Sequence, residues 1–400
     1  MLDRIVQKRI AGLKKSVLLL GARQTGKSTL MRALNPRLVI NLADESSYLQ
    51  HAKDADLIGR EVRALRQPSV ILVDEVQRVP SILNTIQALI DENKGHRFLL
   101  TGSSARKLKR GGANLLPGRV LLEHLDPLTY WELGEHFSLE RVLQVGSLPG
   151  VYLDRETGTE TLDSYASLYL REEIQAEAVV RDLGSYARFL DLAAHASGQW
   201  VNYSKLASDA EIPKETIRRY YQILEDTLLG FRIPPFTTTR TVRRTSQRDR
   251  FLLFDPGVQN ALLHRHRAPN VSEQASLFEQ WLLLQVLFYA RAHRLPWRLS
   301  AYRTDSGVEV DFVLEAASRL LAVECKLGRT IHSGATHGLR SFLNLPSHKK
   351  QTLGHARGFL VFQGERRQRL SGAKEPLIEA VPYREFLDET LPELARESRD

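Results

Sequence analysis

The sequence predicts an α/β protein built from a parallel-sheet nucleotide-binding core, a helical lid, a winged helix-turn-helix and a further α/β domain. Three observations carry this. One apolar run ends in a glycine-rich loop at residues 21–28, a second ends in Asp74-Glu75, and strand and helix signals alternate again after Gly257.

The first element, Lys15-Ser16-Val17-Leu18-Leu19-Leu20, reads as a buried parallel strand. It runs into Gly21-Ala22-Arg23-Gln24-Thr25-Gly26-Lys27-Ser28-Thr29, which has the G-x-x-x-x-G-K-S spacing of a phosphate-binding loop. Gly21 and Gly26 free the backbone to turn its N–H groups inward around a phosphate at a helix N-terminus. Lys27 would reach the β- and γ-phosphates and Ser28 would ligate Mg²⁺, making ATP or GTP the first ligand to consider. The helix that follows is expected from Ser28 to Leu34, where Asn35-Pro36 stops it.

Pro68 to Val73 is a second strand, ending in Asp74 and Glu75. Asp74 would hold the Mg²⁺ shell and Glu75 would polarise the attacking water. A third strand, Arg97 to Leu100, ends in Thr101-Gly102-Ser103-Ser104. Because ligands gather at the carboxyl ends of parallel strands, Thr101 falls where it could contact the γ-phosphate or the water. A plain turn into the next helix would use the same residues. Leu115 to Leu122 is read as one more strand, closing a core of residues 1–126.

Residues 127–192 turn helical, as expected of the lid, and residues 193–250 hold the helix-turn-helix. There Tyr203 to Ala210 is one helix and Lys214 to Leu229 the next, with Ile217, Tyr220, Tyr221, Leu224 and Leu228 on its buried face. Lys214, Arg218 and Gln222 fall on another face, as nucleic-acid contacts would, and the arginine-rich segment with Arg240, Arg243 and Arg244 could form a wing. A helical hairpin of this kind also serves as a purely structural lid.

Residues 251–400 form the last domain. A helix from Glu273 to Arg294 precedes strands Trp297 to Arg303, Val308 to Leu314 and Arg319 to Lys326. Glu279 lies on the helix, Asp311 in an otherwise apolar strand, and Glu324-Cys325-Lys326 at the end of the next. Period-two geometry puts Glu324 and Lys326 on one face and Cys325 on the other, with Asp311 able to point toward the pair. Carboxylates around Mg²⁺, with a lysine to lower the pKa of a bound water, suit phosphodiester hydrolysis.

Size and charge bound the reading. The chain has 400 residues, which suggests two to three domains, and a net charge of +9. Basic runs at 106–110, 240–250 and 365–369 concentrate the excess in arginine, whose forked donors suit phosphate. The only cysteine is Cys325, so no internal disulfide forms, and no paired Cys/His spacing marks a zinc module. No apolar run nears the roughly 20 residues of a membrane span and no signal-peptide core is visible, so a cytoplasmic location is expected.

Together these motifs resemble the bacterial and archaeal AAA+ ATPases that carry a C-terminal domain related to the PD-(D/E)XK, or restriction-endonuclease-like, nucleases. The loop at 21–28 is similar to that family's G-x-R-Q-x-G-K-[ST], Leu72 to Gln77 to its h-h-D-E-h-Q strand, and Leu100 to Ser104 to its T-G-S-S turn. Phe254-Asp255-Pro256-Gly257 matches its F-D-x-G signature, and Tyr302-Arg303-Thr304 through Lys326 its nuclease-like core, where Arg303 joins the nucleic-acid contacts. The resemblance implies an oligomer, a hexameric or partial ring, with Arg119 as candidate arginine finger and Arg171 as rival. Members of that family are assigned to DNA processing, mobile-element defence or regulatory switching; the activity expected here is that of an ATP- and Mg²⁺-dependent enzyme that moves or remodels DNA in the manner of a helicase or branched-DNA processor, which metal-dependent cleavage in the C-terminal domain at Glu279, Asp311, Glu324 and Lys326 could accompany. The alternative is a nucleotide-gated switch that binds DNA or protein without cutting or moving DNA.

Overall fold

The computed structural model describes residues 2–54, 56–103, 116–169, 182–237, 248–265, 267–316, 319–345 and 356–398. They divide into two compact units, one of residues 1–137, 147–183 and 218–230, the other of 138–146, 184–217 and 231–400. The division runs through the 127–192 and 193–250 stretches, so neither is a compact unit by itself.

Unit 1 is built on five parallel strands: β1 (Ser16–Leu20), β2 (Leu38–Asn41), β3 (Val70–Asp74), β4 (Arg97–Gly102) and β5 (Val120–His124). Their order is β2-β3-β4-β1-β5. The strands are near-continuous apolar runs because helices cover the sheet. Leu18, Leu20, Ile71, Val73, Phe98 and Leu100 form one buried layer with Ile58, Val62, Ile82 and Ile86 from helices Leu57–Arg63 and Ile82–Asp91. β4 lies between β1 and β3, which brings the ends of all three together.

Of the boundaries that differ from expectation, two bear on the sheet of unit 1. β4 runs on through Thr101 and Gly102, pairing with Leu19 and Leu20 of β1, so Thr101 is a strand residue and not part of a turn. β5 starts only at Val120, because Leu116 takes a left-handed φ of 54° and its carbonyl accepts from the N–H groups of both Arg119 and Val120, closing a tight turn.

Helix Tyr203–Ala210 starts at Asn202, whose side chain accepts from the Lys205 N–H. It ends on Glu211 in the left-handed region, and helix Lys214–Asp226 begins three residues later. The expected buried face holds at Ile217, Tyr220, Tyr221 and Leu224, while Leu228 lies past the helix end at a φ of 61°. Strands β6 (Gly230–Ile233) and β7 (Arg250–Leu253) form a two-stranded sheet. Arg240, Arg243 and Arg244 lie outside the described residues.

In unit 2 the long helix Val271–His293 opens with a capping box between Asn270 and Glu273. A six-stranded sheet follows, ordered β12-β13-β11-β10-β9-β8, from β8 (Arg298–Arg303), β9 (Glu309–Ala316), β10 (Arg319–Lys326), β11 (Ala356–Phe362), β12 (Gln368–Arg369) and β13 (Ile378–Pro382). β8, β9 and β10 are antiparallel neighbours, and β10 pairs with β11 in parallel across helix His337–Leu343. Leu339 and Phe342 of that helix pack on Val310, Val313, Ala322 and Leu360 of the sheet.

Candidate active site

In unit 1 the phosphate loop sits between the end of β1 and helix Lys27–Arg32. Gly26 takes a φ of 93°, closed to ordinary side chains, and a Cβ on Gly21 would come within 2.3 Å of the Leu125 carbonyl oxygen. Ala22 and Thr25 are buried, Arg23 is half-buried, and Gln24 and Thr29 are exposed. A cleft of about 460 Å³ opens beside the loop, lined by Arg23, Gln24, Glu160, Thr161, Ser164 and Tyr165.

The buried Lys27 ammonium donates to the carbonyls of Gly21 and Ala22, both at 3.0 Å, and lies 4.0 Å from Glu75 Oε1. Ser28 Oγ donates to Asp74 Oδ1 at 2.9 Å. A hydroxyl facing a carboxylate is the oxygen donor set that Mg²⁺ takes beside phosphate, so these two residues fit the ion. Thr101, wholly buried, donates to the same Asp74 oxygen and accepts from the Glu75 N–H at 3.0 Å. Its hydroxyl is therefore committed to the two acids. Glu75 is held in the left-handed region at a φ of 58°, and Gln77 donates both to its carboxylate and to Ser103 Oγ.

Sequence reasoning missed Arg4. Its guanidinium donates to the carbonyls of Thr25, at 2.7 Å, and Asp126, at 2.6 Å, and lies 3.1 Å from Glu132 Oε1. It braces the phosphate loop from behind, and no local pattern marks it, because its partners are 21 to 128 residues away.

Arg119 lies just before the amino end of β5, whose first residue, Val120, pairs with Ser16, whereas the loop follows the carboxyl end of β1. It forms a two-pronged pair with Asp91, at 2.7 and 2.9 Å, which holds the Asp91 carboxyl below its usual range. Arg171 and the basic run 106–110 lie outside the described residues. Arg367, in the run at 365–369, pairs with Glu379 and Glu385.

In unit 2 the sheet brings Asp311 and Glu324 to neighbouring strands, with Glu279 near enough for its charge to act on both. Burial, then Glu279 and Glu324, push the Asp311 carboxyl well up, and burial raises Glu324. Asp311 Oδ2 accepts from the Cys325 N–H at 2.7 Å, while Lys326 Nζ donates to Glu324 Oε1 at 2.8 Å. The residue that sequence reasoning did not single out is Arg250. It pairs with Glu279 and donates to the Asp311 carbonyl at 2.6 Å and to the Gly198 carbonyl at 2.9 Å. Of the three carboxylates expected to share one metal ion, Glu279 is turned onto a guanidinium, and among the described residues no three His, Cys, Asp or Glu side chains are grouped to hold a metal. Cys325 is buried, and burial pushes its thiol well up.

Lys214, Arg218 and Gln222 are all exposed on helix Lys214–Asp226, and Gln222 donates to Asp226 at 3.0 Å. Arg303 lines a cleft of about 410 Å³ with Trp200, Arg248 and Arg250, and stands 3.8 Å from Glu309. The Phe254-Asp255-Pro256-Gly257 signature is structural: Asp255 is wholly buried and caps helix Pro256–Leu262 through the Val258 N–H at 3.0 Å. Among the described residues no helix is long and apolar enough to cross a membrane.

Comparison with known proteins bears first on the N-terminal region. Residues 13–134 match the model of an AAA domain, which supports an AAA-type ATPase in this part of the chain. Residues 136–268 and 274–386 match two families described only as domains of unknown function, DUF8612 and DUF4143. An uncharacterized protein of Mycobacterium tuberculosis is 28% identical over 376 residues, covering 93% of this chain and 80% of its own. An uncharacterized protein of Methanocaldococcus jannaschii is 24% identical over 317 residues, covering 65% of each. The solved structure of C. elegans PCH-2 is similar over 35% of this chain and 43% of its own at 16% identity, with a TM-score of 0.21, too low to carry an argument.

Proposed function

We propose that this chain is an ATP-hydrolysing AAA-type enzyme that acts as an oligomer to move or remodel DNA. The observation that carries the ATPase part is the bonded set of Ser28, Asp74, Thr101 and Glu75 beneath a loop that already holds Lys27. In it Lys27 would neutralise the β- and γ-phosphates, Ser28 and Asp74 would hold Mg²⁺, and Glu75 would orient the attacking water. The DNA part is supported by the net charge of +9 and by the exposed Lys214, Arg218 and Gln222 on one helix face.

The test is ATP turnover with and without double-stranded, single-stranded and branched DNA. Lys27→Ala should abolish nucleotide binding or turnover, and Glu75→Gln should bind ATP without hydrolysing it. Wild-type turnover in Glu75→Gln would sink the assignment. Turnover that none of the three DNA forms changes, with no DNA retained, would favour the nucleotide-gated switch.

A further inference from the structure

We propose that Arg250 is the resident cation of the unit 2 carboxylate cluster, so that this cluster takes no divalent metal ion. Three carboxylates on a helix and two antiparallel strands would ordinarily call for a divalent cation. Here each has at least one oxygen engaged by the chain itself, although Glu324 Oε2 is buried without a hydrogen-bond partner. Glu279 is paired with the Arg250 guanidinium, Glu324 with Lys326, and Asp311 accepts from the Cys325 backbone.

Arg250 is fastened more firmly than a side chain that steps aside for a metal. Its side chain is only 8% exposed, and its nitrogens donate to the carbonyls of Gly198 and Asp311 as well as to Glu279. The bond to the Asp311 carbonyl holds the cation against the strand that carries the Asp311 carboxylate. A metal bound by Glu279 and Asp311 would have to share that space with a buried guanidinium, and like charges at such range repel strongly where water is scarce. Expelling Arg250 instead would strip a buried ion of every one of these bonds.

Mn²⁺ uptake by the full-length protein, measured by electron paramagnetic resonance without nucleotide or DNA, tests this independently of turnover. A failure here leaves the ATPase reading standing, and the reverse holds. Wild type and Asp311→Asn should take up the same amount of Mn²⁺. Arg250→Gln should gain one Mn²⁺ per chain and lose it again when combined with Asp311→Asn. Mn²⁺ bound by wild type and lost in Asp311→Asn would overturn the proposal, as would a folded Arg250→Gln that gains none. If circular dichroism shows Arg250→Gln unfolded, the comparison of wild type with Asp311→Asn decides alone.

Discussion

Thr101 shows how a single hydroxyl ties two functional acids together. It donates a hydrogen bond to Asp74 and accepts one from the Glu75 N–H, so Thr101→Val removes a donor from one acid and leaves the other's backbone unsatisfied. An orphaned buried polar group costs about 1–3 kcal/mol. The expected outcome is a fold retained at lower thermal stability, with nucleotide binding kept and turnover reduced, while Thr101→Ser, which keeps the hydroxyl, stays near wild type; steady-state kinetics beside equilibrium nucleotide binding would show it, and full turnover in Thr101→Val would refute it. Glu279 tests the other unit. Glu279→Gln leaves the buried Arg250 charge without its partner, and breaking such a pair costs about 3–5 kcal/mol when both groups are buried. Glu279 keeps 24% exposure, so the loss should fall toward the lower end, seen as an earlier denaturation midpoint for unit 2.

At the scale of elements, helix Lys214–Asp226 presents Lys214, Arg218 and Gln222 to solvent while Ile217, Tyr220, Tyr221 and Leu224 are buried. If that outer face meets DNA phosphates, changing Lys214 and Arg218 to alanine should weaken binding to all sequences and flatten its salt dependence by roughly one unit of slope per lost contact. An unchanged slope in titrations across salt concentrations would make the helix a structural part only. The six-stranded sheet illustrates a second element-scale point. Strand alternation puts Asp311 and Glu324 beside the paired Phe312 and Val323 of neighbouring strands, but alternation says nothing about a cation arriving from β7.

At the scale of the whole molecule, Arg119 stands at the amino end of its sheet, away from its own phosphate loop, and pairs with Asp91. Were it to complete a neighbouring subunit's site, Arg119→Ala should lower turnover by as much as about 10³ while leaving nucleotide affinity intact. Mixing it with Lys27→Ala subunits should restore part of the activity; full activity of Arg119→Ala in a protein that stays monomeric with ATP would end the idea. The sequence by itself determined the phosphate loop, the acidic strand end and the strands that became β1, β3, β4, β8, β9 and β10, because these are written in short-range spacing: the glycines at 21 and 26, and the apolar periods of two and 3.6; β2 and β11 to β13 were not read from it. It also located the carboxylates of the second unit. Only the tertiary structure decided that Thr101 serves the two acids, that Arg4 braces the loop from 21 residues upstream, and that Arg250 claims Glu279 from 29 residues away. Those pairings depend on which strand lies beside which and on the strong demand of a buried charge for a partner, and neither is expressed in the local order of residues.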